Sequence, residues 1–471
     1  MPRPFHPYAG RRRFVQSIRE MLRAALFANA SEARYAVHGS ITHLARISSH
    51  AECSAGMLSG MSVADQGIKA DKEISRAAMV MPVYVPSFLL SFGQGILVPT
   101  LPVFAKGFGV SFSLVSLVVA AAGLGTLIAD LPAGLALGRF GRQRAMLVGI
   151  SLVASTTLVI ALWHQFSVLL VCRLVGGVGT ALWGISRHAY ITAVAPRSQR
   201  GKFIATFGGI NRLGLFAGPF IGGVIGHRFG LSSSFALAAL FAALAGPLAI
   251  FFIRDPRGTV AVVPPRHLRW ESVRRLMRTH RADVVSAGAA QIFAAMIRSG
   301  RQLIIPLYGA YALNLDVASI GTILTVSTAI DMVLFIPAGW VMDRFGRKVA
   351  SVPSFAIMAV GVALIPLASN FLGLLSAACL IGLGNGIGSG SMMTLGADLA
   401  PPDAVGEFLG IWRFVGDAGQ AGGPLVVGVI ADALGLTATA FALAGIGVTA
   451  ALILSALVRE TLQAEPQAQA P

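Results

Sequence analysis

The chain has 471 residues, 55% of them hydrophobic and 12% charged, about half the charge of an ordinary soluble domain. Its net charge is +17, from 37 Lys and Arg against 20 Asp and Glu. That composition excludes a water-soluble globular domain, and the placement of the basic residues decides between nucleic-acid binding and membrane topology.

Residues 1–78 are Arg-rich and Ser/Ala-rich, carry scattered acids and hold no spanning run. They read as a polar basic extension, disordered or amphipathic and cytoplasmic. An organellar transit peptide, or a start assigned upstream of Met79, are the other readings; a secretory signal lacks its apolar core and cleavage site. His38, His43 and His50 have no metal-ligand spacing.

From Val80 to Val458, apolar runs of roughly 20 residues recur about twelve times, each enough to cross a hydrocarbon core of about 30 Å as helix. Alternating segments of about ten residues, the mark of a lipid-facing β-barrel, do not occur. The predicted fold is therefore an all-α integral membrane protein, because helices are the other way to satisfy every backbone group in lipid.

The basic residues sit in short loops. Arg139, Arg142 and Arg144 follow the second run, Arg197, Arg200 and Lys202 the fourth, and Arg344, Arg347 and Lys348 the eighth. The long break from Arg254 to Asp283 adds seven further arginines, while the opposite loops hold little beyond Lys106 and Arg228. This one-sided pattern puts those loops and both termini in the cytoplasm and leaves no case for DNA or RNA binding. Cys53, Cys172 and Cys379 are widely spaced without CxxC, so no disulfide framework or zinc site is expected.

The segment PAGLALGRFGRQ from Pro132 returns as PAGWVMDRFGRK from Pro337, a shift of 205 residues. Applied without gaps, the same shift lays Gly177-Val178-Gly179 on Gly382-Leu383-Gly384, Pro196 on Pro401, Phe203 on Phe408 and Gly218-Pro219 on Gly423-Pro424. The chain therefore divides into the extension (1–78), a six-helix bundle (79–253), an Arg-rich cytoplasmic linker (254–282), a second six-helix bundle (283–458) and a tail (459–471). Internal duplication with six spans per half is the mark of a secondary transporter whose site lies between the repeats.

On these residues the chain resembles the major facilitator superfamily over about Met79 to Glu460. The family's loop signature G-x-x-x-D-R-x-G-R-[RK] is matched in the second half by Gly339, Asp343, Arg344, Gly346, Arg347 and Lys348. In the first half Gly134, Arg139, Gly141 and Arg142 match, but Gly138 stands where the aspartate belongs. Arg173 in the fourth run is similar to the family's arginine motif. Gly214, Gly218, Pro219 and Gly222 in the fifth are similar to a segment of drug/proton antiporters. The resemblance implies twelve helices in two pseudo-symmetric bundles, with helix 2 facing helix 11 and helix 5 facing helix 8.

The loop signature also has a mechanical reading. Its glycines permit sharp turns and close backbone approach, its arginines anchor the turn, and Asp343 is expected to reach a helix N-terminus or an arginine and latch one half to the other when the cytoplasmic side is closed. A bare topology signal is the plainer alternative. Gly138 removes one such latch and puts the usual inner gate in doubt.

Charges at membrane depth are functional candidates by default. Counting about 1.5 Å per residue from the cytoplasmic ends puts Asp130 about 12 Å deep, Arg413 about 10 Å, Asp331 about 18 Å and Arg212 about 14 Å. Two inter-half pairs are expected from these depths and the family's facing helices, Asp130 with Arg413 and Asp331 with Arg212, serving proton coupling or gating. The alternative is a pair of permanent structural bridges. Asp417 lies one turn from Arg413 and neutralises it. Arg173, Arg298 and Arg301 lie deeper and favour an anionic or zwitterionic substrate, with Gln94 and Asn385 as cavity hydrogen-bonders.

The expected activity is secondary active transport by alternating access, in the direction of proton-coupled efflux of a small amphiphilic or anionic organic compound. A proton-coupled importer of an organic anion or sugar is the alternative in the same class; a transporter-like receptor or scaffold is the alternative in another. The expected partners are substrate, protons and the lipid of a bacterial inner membrane. The chain is expected to act as a monomer, without cofactor or metal, and no constellation of an enzyme is present.

Overall fold

The computed structural model describes residues 80–194, 200–253, 274–275, 278, 281–401 and 404–462. The expectations for residues 1–78, for most of the Arg-rich linker and for the end of the tail lie outside the described residues. The described residues fall within one compact unit.

A turn of π-helix, Val80–Tyr84, leads into α1 (Val85–Lys106), followed by α2 (Phe112–Phe140), α3 (Arg142–Leu162), α4 (Phe166–Val194), α5 (Arg200–Phe229) and α6 (Leu231–Phe252). After the linker come α7 (Arg281–Tyr311), α8 (Val317–Phe345) and α9 (Arg347–Ala363). The next span is broken into α10a (Phe371–Ile387) and α10b (Ser391–Asp398). The last long helix, Val405–Ala456, bends at Gly435 into two arms, α11 (residues 405–434) and α12 (residues 436–456).

Nine of the described helices are long and apolar enough to cross a membrane, the bent α11 and α12 counted as one. α5 and α7 are longer than most, at 30 and 31 residues, but carry the charges Arg212, and Arg298 with Arg301. Those arginines dilute the hydropathy that would otherwise mark the two helices. Trp163 and Tyr311 at one end, with Trp340 and Phe345 at the other, are exposed, as expected of interfacial aromatic belts.

The duplication is written in the backbone as well. α2 and α8 begin and end 205 residues apart, as do the starts of α3 and α9 and of α4 and α10a. Ser111 caps α2 by accepting from Leu114 N, and Asp316 at the matching position caps α8 by accepting from Ser319 N. Positive φ recurs at the same shift in Gly141 and Gly346, in Gly230 and Gly435, and in Gly109 and Asn314. Asn314 is the one non-glycine with positive φ among the described residues, and asparagine is among the few L residues that tolerate it. Gly390, also at positive φ, has no counterpart: its equivalent, Ile185, lies inside unbroken α4.

In the first set α1 packs on α5 and α6, and α4 on α2 and α3; in the second α7 packs on the α11–α12 segment and α10 on α8 and α9. Gly214, Gly218 and Gly222 of α5 face α1, where an added methyl group would strike Phe92 N, Gly95 and the Ile96 carbonyl respectively. The antiporter-like glycine stripe is thus the α1–α5 contact inside one half, while the neighbouring Pro219 and Gly223 meet α8 of the other.

The two sets meet along α5–α8 and α2–α11. At the end carrying Phe112, Val317 and Asp432, backbones touch: Gly321 lies on the Pro219 carbonyl, Gly223 on Val317 and Ala318, and Gly428 on Ser116. Toward the loop-signature end Gly134 and Gly138 of α2, Gly208 and Gly209 of α5, Gly339 of α8 and Gly406 and Gly410 of α11 have, among the described residues, no neighbour within 4 Å of an added Cβ. The seam is closed at the far end and open at the loop-signature end. This corrects the expectation that Gly134 and Gly339 permit close backbone approach, whereas Gly141 and Gly346 do make the sharp turns, at φ 82° and 110°.

Candidate functional site

At mid-depth the seam is bridged by charge. Arg212 of α5 reaches Asp331 of α8, with Nη1 3.5 Å from Oδ1. Its other nitrogen donates to Ser389 Oγ at 2.9 Å, and its guanidinium lies 4.3 Å from the Phe335 ring centre. Asp331 is 7% exposed and is held on its second oxygen by Asn385 Nδ2 at 2.7 Å. The break between α10a and α10b builds this centre, because it turns Ser389 toward Arg212 and frees the Gly388 carbonyl to accept from Arg298 Nη2 at 3.0 Å.

Arg298 and Arg301 of α7 belong to the same cluster, within electrostatic range of Asp331 and Arg212. Both are partly buried, and the buried Nε of each has no hydrogen-bond partner among the described residues. The cluster therefore holds three cations against one carboxylate. Uncompensated charge in a low-dielectric interior is costly, so three such arginines indicate a purpose beyond packing.

The second expected pair is not formed. Arg413 binds Asp417 one turn away, Nε to Oδ2 at 3.5 Å, and Asp130 lies within its electrostatic range without contact. One buried carboxylate oxygen of Asp130 has no hydrogen-bond partner. The physical reason is the open seam, which holds α2 and α11 apart at that depth. Asp343 is 71% exposed and, among the described residues, meets Arg347 of its own half at 3.4 Å; the latch expected of it belongs to the state closed at this end. Gln94 is exposed and Arg173 has a buried Nε without a partner; neither joins the Asp331 cluster. Arg187 lies over Phe207, 3.8 Å from the ring centre, and near Trp183.

A cavity of about 270 Å³ lies between α7, α10b and α11, lined by Gln291, Arg298, Met393, Trp412, Arg413 and Asp417 among others. A larger crevice of about 530 Å³ beside Ile330, Leu372 and Leu383 is apolar and holds none of these charged groups; it suits lipid chains.

Three acids escaped the sequence reading. Asp432, near the end of α11, accepts from Phe112 N at 2.7 Å and Ser113 N at 2.8 Å, tying the first turn of α2 to the other half at the closed end. Glu460 accepts from Arg347 N and Lys348 N at 2.8 and 2.9 Å, capping α9, and Asp398 takes Arg347 Nε at 2.8 Å. Their signal was faint: acids at the ends of apolar runs, where solvated residues are ordinary. Arg344 lies beside the Trp340 and Phe345 rings, Lys348 Nζ donates to Ser455 O, and Arg139 is exposed beside Phe140.

Burial opposes ionisation of Glu460, but backbone donors from Leu462, Lys348, Arg347 and Thr461 outweigh it and hold the carboxyl below its ordinary 4.5. A lowered folded value means the cap stabilises above the ordinary range and is lost as pH falls through the folded value. Glu460→Gln is therefore expected to unfold at lower temperature at neutral pH, with the difference from wild type closing under acid. Thermal unfolding across that pH range checks it, and a pH-independent gap would refute the titration of this cap.

Two facing helical repeats around a charged seam, shut at one end and open at the other, define a membrane transporter of the alternating-access class. The sequence model of the Major Facilitator Superfamily matches residues 84–297 and 287–471, and the chain belongs to that family, whose members are transporters and not enzymes. An uncharacterised MFS-type transporter of Methanocaldococcus jannaschii is 22% identical over 76% of this chain and 92% of its own length. Quinolone resistance protein NorA of Staphylococcus aureus is 29% identical over 38% of this chain and 46% of its own length. Among solved structures a D-xylose-proton symporter superposes with a TM-score of 0.68, at 17% identity over 82% of this chain and 98% of that one.

Proposed function

We propose that the chain is a proton-coupled exporter of a small amphiphilic or anionic organic compound. It works by alternating access as a monomer in a bacterial inner membrane, with both termini and the loop-signature end in the cytoplasm. The observation that carries this reading is the Arg212–Asp331 pair, which crosses the seam at mid-depth and at 3.5 Å. Ionised Asp331 holds α5 to α8, and its protonation releases Arg212, so one proton biases the balance between the two seam states. Asp130, with an unpartnered buried oxygen in the field of Arg413, is the second proton carrier. The Arg413–Asp417 contact marks the open state, since closing that end brings α2 to Arg413. Arg173, Arg298, Arg301, Asn385 and Gln94 line the substrate path. Partial similarity to a quinolone resistance protein supports export over import.

The test is substrate-dependent proton movement in vesicles reconstituted with the purified carrier, screened over organic anions and amphiphilic drugs. Export predicts accumulation in inverted vesicles energised with an acidic interior. Accumulation in right-side-out vesicles under an inward proton gradient would make the protein an importer, and binding without flux would make it a receptor.

A further inference from the structure

Within the exporter reading, on which this inference rests, the charges of the seam define the substrate. Arg413 in the α7–α10b–α11 cavity is already matched by Asp417 at 3.5 Å. Arg298 lines the same cavity; among the described residues its one hydrogen bond goes to the neutral Gly388 carbonyl, and its guanidinium lies 5.0 Å from the Phe355 ring centre. Its buried Nε is unpartnered. Arg301, one helical turn away on the same helix face, lies behind the cavity lining and shares the unpartnered buried Nε. The single carboxylate of the cluster, Asp331, is engaged by Arg212, Asn385 and Ser389.

The rest of the cavity is apolar or neutral. Met393, 59% exposed, and Trp412, 3% exposed, both line it, and Trp412 Nε1 already donates to the Met392 carbonyl at 2.9 Å. Gln291 supplies an amide. A volume of about 270 Å³ sits at the small end of ordinary ligand pockets, the size of a molecule with one or two rings. We propose that the substrate is a small aromatic or aliphatic carboxylic acid, its carboxylate seated on Arg298 in the field of Arg301 and its apolar body along Met393 and Trp412. With Nη2 on the Gly388 carbonyl and Nε buried, Nη1 is the guanidinium nitrogen left to donate to one carboxylate oxygen. A neutral amide of the same shape would leave Arg298 unpaired, and an inorganic anion would leave the apolar shelf unused.

The test uses the purified full-length carrier in detergent, with no gradient, and isothermal titration with naphthoate, its neutral amide and inorganic phosphate. Wild type is expected to bind naphthoate at least about tenfold more tightly than the amide, with phosphate unable to displace it. Arg298→Gln should weaken naphthoate by about 10- to 100-fold, the range of a charge-assisted hydrogen bond, and leave the amide unchanged. Arg298→Lys, which keeps the charge but loses the fork, should recover part of the affinity. Unchanged thermal unfolding of both variants separates lost recognition from lost folding; a variant that unfolds is replaced by Arg301→Gln, for which the same naphthoate-selective loss is expected. Equal binding of acid and amide, displacement by phosphate alone, wild-type affinity in folded Arg298→Gln, or no binding by folded wild type would each overturn the assignment. Because the measurement needs no flux, its failure removes the substrate class and leaves proton movement standing. Failure of the exporter reading would show instead as naphthoate binding without transport, or with accumulation in right-side-out vesicles.

Discussion

Replacing Asp331 by Asn is expected to abolish substrate-driven proton movement, a loss of at least about tenfold, while leaving α5 and α8 in place. Asparagine keeps the shape and one acceptor toward Arg212 but takes up no proton at any working pH. It also leaves Arg212, Arg298 and Arg301 with no carboxylate among them. Breaking a buried ion pair from one side costs about 3 to 5 kcal/mol. The Arg212 side chain is 30% exposed, so water screens part of the loss and a value of about 3 kcal/mol or less is expected. The double variant Arg212→Gln/Asp331→Asn removes both charges together and should regain most of that stability without regaining coupling. Thermal unfolding and proton flux in reconstituted vesicles separate the two consequences. A wild-type, pH-dependent rate in Asp331→Asn would show the pair to be a structural bridge and nothing more.

Removing the Asp432 carboxylate is expected to loosen the closed end of the seam. Its two oxygens accept from the first two backbone N–H groups of α2 at 2.7 and 2.8 Å, where the helix dipole presents partial positive charge. Losing a cap of this kind costs about 0.5 to 2 kcal/mol. Asp432 is exposed, so about 1 kcal/mol is the appropriate figure, enough to shift the seam about fivefold toward the state open at this end. Spin labels at Leu114 and Leu434, both exposed and on the two sides of the contact, should report a longer-distance population in Asp432→Ala. An intermediate shift is expected in Asp432→Asn. Identical distance distributions would mean that the glycine contacts around Gly321 and Gly428 hold the end shut without it. The repeat makes this latch one-sided, since the residue 205 positions before Asp432 is His227.

Depth counting along single helices places Arg212 within about one turn of Asp331, in reach of a long side chain, and the two lie 3.5 Å apart. It places Asp130 still nearer the depth of Arg413, yet Arg413 pairs with Asp417. Depth along the membrane normal follows from residue number and helical rise. Separation across the seam does not, because it depends on which end of the seam is open, and one sequence supports both states. Ser389 was illegible for a different reason: its place beside Arg212 comes from the break at Gly388–Gly390, and the glycine-rich run around it fits an unbroken helix as well.

Local chemistry alone determined the membrane solvent, the helical content, the duplication at a shift of 205 residues and the turns at Gly141 and Gly346. Each of these follows from composition, periodicity or a backbone conformation that few residues adopt. The tertiary structure decided that the far end of the seam is shut, that three arginines share one carboxylate, and that Asp432 and Glu460 cap helices distant in sequence. Those facts rest on distances between segments that no local pattern encodes, since a charge at a helix end reads the same whether it meets water or another helix.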